Sequence, residues 1–263
     1  MAVQISCLKK KAQEQDFLLG AFVFSTDPAL PEIYSAAGFD FVVIDMEHGF
    51  NDFGNALAHL RSARGAGINA LVRVGQANLG NVTRLLDAGC EGIIVPHYGV
   101  KGSGATEAFQ SMRYCPEGNR PTCTGVRAVD YGLSDFAAYV ERSNREVLRI
   151  GLVEDRECID SIDEILNKGE VDWLTPGPAD LATSMGLPGQ LRHPQVVDGI
   201  EKMMAAARRR NIPFGMYIND PNDVPTWLEK GSKFFILRID LLWLARSLKV
   251  AADACRELGR AKL

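Results

Sequence analysis

Phe41-Val42-Val43-Ile44-Asp45-Met46-Glu47-His48 decides how this chain is read. Its apolar, β-branched start is too short for a helix and suits a strand buried on both faces. Acids and a histidine stand just past its end. In parallel α/β folds that is where chemistry is placed. Two later segments repeat the arrangement, Gly151-Leu152-Val153-Glu154 and Gly177-Pro178-Ala179-Asp180.

Working outward, short apolar runs recur with helical patterns between them. Strands are expected at 18–24, 41–44, 70–74, 92–95, 148–153, 172–174, 213–218 and 233–239. Helices are expected from Asp27-Pro28 to near Gly38, then at 53–64, 78–88, 105–112, 135–145, 157–167, 178–185, 194–210, 224–230 and 241–258. Gly89 is a natural stop for the third of these. Eight strands, each followed by a helix and with no linker-like break, predict a single (β/α)8 barrel over residues 1–263. A doubly wound open sheet would use fewer strands and usually carries a glycine-rich phosphate turn after its first strand. Here that position reads Ser25-Thr26-Asp27-Pro28. The stretch from Arg113 to Tyr131 is too long for an ordinary βα connection, so it is either a functional or a mobile loop.

With 46% hydrophobic and 24% charged residues, the chain has an ordinary globular balance and can bury a sizeable core. A net charge of −4 without a basic block gives no support for nucleic-acid binding. The densest basic run, Arg208-Arg209-Arg210, reads as a solvated helix end. None of the six cysteines forms a CxxC pair, so reduced thiols are expected, with Cys115 and Cys123 flanking a loop. The N-terminus lacks a basic segment followed by an apolar core, and no apolar run approaches the ~20 residues that span a bilayer. A cytoplasmic protein without a membrane partner is expected.

A barrel brings its strand ends to one mouth. There Glu154 and Asp180 are candidate metal ligands, since two carboxylates with the rest of the shell left to water and substrate suit Mg²⁺ or Mn²⁺. Alternatively Glu154 is a surface acid and Asp180 a helix cap. His48 is a candidate general acid/base, because histidine is the side chain that ordinarily titrates near neutrality, and Asp45 is placed to orient its ring. Otherwise His48 hydrogen-bonds within a loop. Arg73 sits in the apolar run Leu71-Val72-Arg73-Val74, so its charge must be paired or face a cavity. It is suited to hold a carboxylate or enolate oxygen, or to form an internal salt bridge to Glu47 or Asp45, and the two roles are compatible. His97 and Tyr98 shape the pocket or serve structure alone, Arg238 reads as a rim ion pair, and His59 and His193 read as surface residues.

Taken together, these motifs resemble the HpcH/HpaI aldolase family, the metal-dependent (class II) pyruvate aldolases that include 4-hydroxy-2-oxoheptanedioate and 2-keto-3-deoxyglucarate aldolases. The resemblance runs from Gly20 through the last strand. It is carried by Ala37-Gly38-Phe39-Asp40, Ile44-Asp45-Met46-Glu47-His48, Val72-Arg73-Val74, Asp87-Ala88-Gly89, Ile94-Val95-Pro96, Arg113 to Arg120, Val153-Glu154 and Gly177-Pro178-Ala179-Asp180-Leu181. It implies a TIM barrel of the phosphoenolpyruvate/pyruvate-domain type. It also implies a homohexamer, a trimer of dimers that exchange the C-terminal helix at about 241–258. A divalent metal (Mg²⁺, Mn²⁺ or Co²⁺) would be held at Glu154 and Asp180. Arg73 would stabilise the enolate of pyruvate, and His48 with Asp45 would move the proton. The remaining substrate contacts would be Phe22, Leu152, Pro176, Gly177, Pro178, Ala179 and Arg120. The partners implied are a 2-oxo acid and an aldehyde.

Three positions depart from the family pattern. Leu152 stands where a glutamine is common, Phe22 where a tryptophan is, and Pro121 where a glycine follows the arginine, with an unusual loop over 122–130 beyond it. These departures leave open a condensing enzyme of the same family, such as a siderophore-type citrate synthase; a non-catalytic binding barrel is a third reading, against which the intact acids and base argue.

Overall fold

The structure, a computed structural model, describes residues 6–75 and 80–260. The expected helix start at Asn78 and the N-terminal reading at Met1 to Ile5 fall outside the described residues. The strands are β1 (Leu18–Val23), β2 (Phe41–Asp45), β3 (Asn69–Arg73), β4 (Gly92–Val95), β5 (Leu148–Val153), β6 (Trp173–Pro176), β7 (Gly215–Ile218) and β8 (Phe234–Ile239). Hydrogen-bonded neighbours run β6-β5-β4-β3-β2-β1-β8-β7, and all these pairs are parallel. A parallel bridge from Leu174 to Phe214 joins β6 to β7, so the ring closes into the expected (β/α)8 barrel.

Strand residues alternate between two apolar environments, which is why the strands read as unbroken apolar runs. Leu18, Phe22, Phe41, Val43, Leu71, Ile94, Leu148, Ile150, Leu152, Trp173, Phe234 and Ile236 fill the barrel interior. Val42, Ile44, Val72, Ile93, Val95, Phe235 and Leu237 face the surrounding helices. The interior is crowded enough to need glycine: a Cβ at Gly20 would strike the Phe41 ring, and one at Gly215 the Phe234 ring.

The helices in chain order are α1 (Leu8–Glu14), α2 (Leu30–Ala36), α3 (Phe53–Ala66), α4 (Val82–Asp87), α5 (Ala105–Gln110), α6 (Phe136–Glu146), α7 (Arg156–Asp160), α8 (Ile162–Asn167), α9 (Pro178–Ser184), α10 (Pro194–Arg208), α11 (Val224–Glu229) and α12 (Asp240–Arg260). α3 shows why such segments begin and end where they do. Asp52 accepts the Asn55 N–H at 2.8 Å at its start, and Gly67 at φ 74° ends it in the left-handed region. The helix expected over 157–167 is broken at Ser161, where ψ turns to 12° and α7 gives way to α8.

α1 was not expected from the sequence. Three consecutive lysines mask its one inward residue, Leu8, which is buried among the interior side chains. The 113–131 stretch is tied down at two arginines. Arg113 donates to Asp172 Oδ2 and to the Val147 carbonyl, each at 2.8 Å. Arg120 donates to Asp87 Oδ1 at 2.7 Å and stacks 4.7 Å from the Tyr114 ring centre. Arg120 therefore holds the small cluster of Tyr114, Val129 and Tyr139 on the outer layer, apart from the strand-end acids. The Asp87 and Tyr139 that claim its charge are distant in sequence. Among the described residues, no helix is long and apolar enough to cross a membrane.

Candidate active site

Asp45 and Arg73 are the last residues of β2 and β3, and they are directly paired in the β2–β3 register. Both face inward, so their side chains meet over the interior. Arg73 Nε donates to Asp45 Oδ1 at 2.8 Å and Nη2 donates to Oδ2 at 2.7 Å, with Asp45 fully buried. This is the bidentate geometry a planar guanidinium favours. Arg73 Nε also lies 3.4 Å from Glu47 Oε2, and the guanidinium sits 4.5 Å above the Phe22 ring centre. Burial alone would lower the arginine's pKa, but its hydrogen bonds to Asp45 and the charges of Asp45, Glu47 and Glu154 raise it, so the charge is locked in place.

The structure changes Asp45's expected partner. Both its carboxylate oxygens are taken by Arg73, and they also accept the backbone N–H groups of Glu47 (3.1 Å) and His48 (3.3 Å). Asp45 thus fixes the turn that carries His48, not the imidazole. The charged neighbour of the His48 ring is Glu47, with Nε2 3.9 Å from Oε2, and the ring stands open to solvent. Two features support this turn from outside. Asn51 donates to the backbone carbonyls of Asp45 and Val23, and His59 bonds Asn51 Oδ1 and the Ser25 carbonyl. His59 is wholly buried, which corrects its reading as a surface residue: the partners that bury it lie on the loops after β1 and β2.

Across the mouth, β5 delivers Glu154 and β6 leads into α9, which carries Asp180 in its first turn. Glu154 is buried; its Oε1 accepts the His97 N–H at 3.0 Å, while Oε2 has no hydrogen-bond partner among the described residues. His97 reaches this position through a left-handed backbone (φ 52°), and its Nδ1 is 2.9 Å from Asp155 Oδ2. Gly177 leaves the necessary room, because a Cβ there would lie 2.5 Å from Glu154 Oε2 and 3.4 Å from Leu152. Burial pushes the Glu154 carboxyl up to about 7, with the charges of Glu47 and Asp180 adding to the rise against the pull of His97. Glu47 is likewise raised by burial, although Arg73 and His48 pull it down.

Leu152 lies in the inner apolar layer with Phe22, next to Glu154. Pro176 ends β6, Pro178 is buried at the start of α9, and Ala179 is exposed beside Asp180. Tyr217 of β7 adds a side chain the sequence reading passed over. Its ring is 6.0 Å from that of Phe22 and its hydroxyl donates to Asn219 Oδ1 at 3.1 Å. Its position as an inward residue one before the strand end was the available signal. Among the described residues Arg238 has no ion-pair partner: its Nε donates to the Asn219 carbonyl, and its guanidinium lies 4.3 Å from the Trp243 ring centre.

The mouth therefore gathers more carboxylates than cations. A buried acid with one free oxygen, beside a second acid, is a donor set suited to a hard divalent cation. Glu154 and Asp180 fit that requirement.

Known proteins resemble this chain along most of its length. The family model for HpcH/HpaI aldolase/citrate lyase matches residues 18–246. A hydroxypyruvate/pyruvate aldolase of Paraburkholderia phytofirmans is 30% identical over 258 residues, covering 95% of this chain and 97% of that protein. A 5-keto-4-deoxy-D-glucarate aldolase of Escherichia coli is 30% identical over 239 residues, covering 91% and 92%. Among solved structures, an HpcH/HpaI aldolase from Desulfitobacterium hafniense superposes with a TM-score of 0.89 at 28% identity, covering 95% of this chain and 97% of that one. The citrate synthase SbnG superposes with a TM-score of 0.86 at 29% identity, covering 96% and 98%.

Proposed function

Since the chain belongs to the HpcH/HpaI aldolase/citrate lyase family, we propose that it is a metal-dependent aldolase, a carbon–carbon lyase that cleaves a 4-hydroxy-2-oxo acid to pyruvate, or a related 2-oxo acid, and an aldehyde. The observation that carries this reading is the opposition of two charge systems across one mouth: the buried Asp45–Arg73 pair on one side and the underneutralised Glu154 and Asp180 on the other.

Glu154 and Asp180 would hold Mg²⁺, Mn²⁺ or Co²⁺. When bound, the cation would supply positive charge to the carboxylate and 2-oxo group of the substrate. Arg73, immobilised by Asp45, donates toward the oxygen that becomes the enolate, so stabilisation requires no reorganisation during the reaction. His48 takes the proton from the 4-hydroxyl as the C3–C4 bond breaks, and a proton is returned to C3 to give the methyl group of pyruvate. Asp45 positions both the guanidinium and the backbone of residues 47–48. Phe22 and Leu152 form an apolar wall that excludes water from the enolate.

A second reading keeps the site and changes the reaction to a condensation of the citrate synthase type. It draws on Leu152 beside Glu154 and on the likeness to SbnG. Pyruvate release from 4-hydroxy-2-oxo acids should vanish on chelation, return with Mn²⁺, and be lost in Glu154→Ala. A chelated enzyme that cleaves as fast as the metal-loaded one refutes the aldolase reading, and thiol release from acetyl-CoA with oxaloacetate selects the second. The α12 face with exposed Leu244, Leu248 and Leu258 supports a homo-oligomer in which this helix packs on a neighbouring copy, a trimer of dimers by family likeness, which sedimentation can measure.

A further inference from the structure

His59 is wholly buried on α3 and takes no part in the proposed chemistry. Its Nε2 lies 3.0 Å from the Ser25 carbonyl and 3.1 Å from Asn51 Oδ1. The orientation of the Asn51 amide is fixed, because its Nδ2 donates to the carbonyls of Val23 (3.0 Å), Asp45 (3.2 Å) and Phe24 (3.4 Å). Both neighbours of His59 Nε2 are therefore acceptors, and the neutral ring carries its proton there. Nδ1 is buried with no hydrogen-bond partner among the described residues. A second proton on this ring would put a charge and an N–H where no acceptor receives them.

What this ring holds is the path of the chain from β2 past His48. The His48 imidazole makes no hydrogen bond among the described residues, and Glu47 Oε2 lies 3.9 Å from its Nε2. Its placement therefore depends on the backbone that carries it. That backbone is held on one side by the Asp45 carboxylate, which accepts the N–H groups of Glu47 and His48. On the other side Asn51 donates to the Asp45 carbonyl, and the Phe50 N–H closes onto the Phe24 carbonyl. Asn51 thus bridges the loops after β1 and β2. Without the donor on His59, its oxygen would be a buried acceptor left unpaired.

We infer that His59 is a positioning residue for His48: neutral, it locks Asn51 across the two loops, and on protonation it leaves its buried place and lets the 46–51 turn go. The role of His48 rests on the aldolase reading; the lock does not. Burial lowers the pKa of His59, while the Ser25 carbonyl, Asp240 at the start of α12 and Asp27 after β1 pull the other way. Asp240 accepts the N–H groups of Phe24, Ser25 and Leu241, and Tyr34 of α2, which feels the same carboxylate, stays a neutral phenol. An unfolded histidine takes up its proton near pH ~6.5. The folded ring resists that proton, so the lock is complete above this pH and is lost as pH falls.

The test compares full-length metal-loaded wild type with His59→Gln and His59→Leu. Glutamine offers an N–H to both acceptors but has no basic nitrogen; leucine offers neither. At about pH 7.5, His59→Leu should lose about five- to a hundredfold in kcat with KM little changed, the range expected when a buried acceptor loses its donor. His59→Gln should restore kcat. Between about pH 5 and 6.5, log kcat of the wild type should fall more steeply than that of His59→Gln, by up to one proton. Parallel profiles overturn the inference. A second measurement needs no turnover and no leucine variant. Over the same interval, hydrogen exchange at the amides of Glu47, His48 and Phe50, corrected for intrinsic rates, should lose about tenfold more protection in the wild type than in His59→Gln. Matching protection overturns the inference. If the wild type cleaves no 4-hydroxy-2-oxo acid, the aldolase reading fails, and the exchange measurement still decides whether His59 holds the turn.

Discussion

Replacing Asp45 by asparagine removes one partner of a buried ion pair and leaves its shape unchanged. The bonds at stake are the 2.8 and 2.7 Å contacts to Arg73 and the two backbone contacts that hold residues 47 and 48. An asparagine keeps one acceptor oxygen but presents a donor to an arginine that has only donors. Hydrogen bonds to charged groups contribute about 1.5–3 kcal/mol each, and stripping one member from a buried pair costs about 3–5 kcal/mol. Asp45→Asn should therefore lose about 3 kcal/mol in urea unfolding followed by tryptophan fluorescence. It should also lose about a hundredfold in kcat, because Arg73 is no longer held in position. Arg73→Met leaves Asp45 buried and unpaired, so it too should be costly. The double variant removes both charges and should be less damaged than the sum of the singles by about 2 kcal/mol or more. Additivity within about 0.5 kcal/mol would refute the reasoning, because it would mean that the pair is not coupled and Asp45 acts elsewhere.

Gly177→Ala should weaken Mn²⁺ binding about ten- to a hundredfold in calorimetry, since the new methyl group displaces the Glu154 carboxylate from its place; unchanged affinity would show that Glu154 is not a ligand. A separate pH effect is expected at the opposite end of the barrel. Burial raises the Glu91 carboxyl to about 7, although its hydrogen bond from Asn69 pulls the other way. Between about pH 4.5 and 7 the folded chain then holds a proton that the unfolded chain has released, so stability falls as pH rises, by up to about 3 kcal/mol. Glu91→Gln should flatten that slope in urea titrations across the window, and an unaltered slope would exclude Glu91 as its source.

Much of the fold was legible because both faces of each strand are buried. The 41–44 run and its seven counterparts stand out as apolar segments, and the acids after them mark the mouth. Arg73 was visible for the same reason, as a charge in an otherwise apolar strand. What the sequence concealed depends on register and on distant partners. Whether Asp45 meets His48 or Arg73 is decided by the pairing of β2 with β3, which no local pattern encodes. His59 was misread, and the contacts of Arg120 were hidden, because the groups that bury them lie on other elements. α1 escaped notice since a single leucine does its packing.

The Asp45–Arg73 contact has one more consequence. Residues on a strand alternate sides, so sliding β2 past β3 by one position would turn Asp45 outward and expel the interior set with it. A wrongly aligned barrel therefore cannot retain a partly working site. Catalytic competence in this chain doubles as a proofreading signal for strand alignment, and a residual-activity assay on refolded material counts correctly zipped molecules rather than merely compact ones.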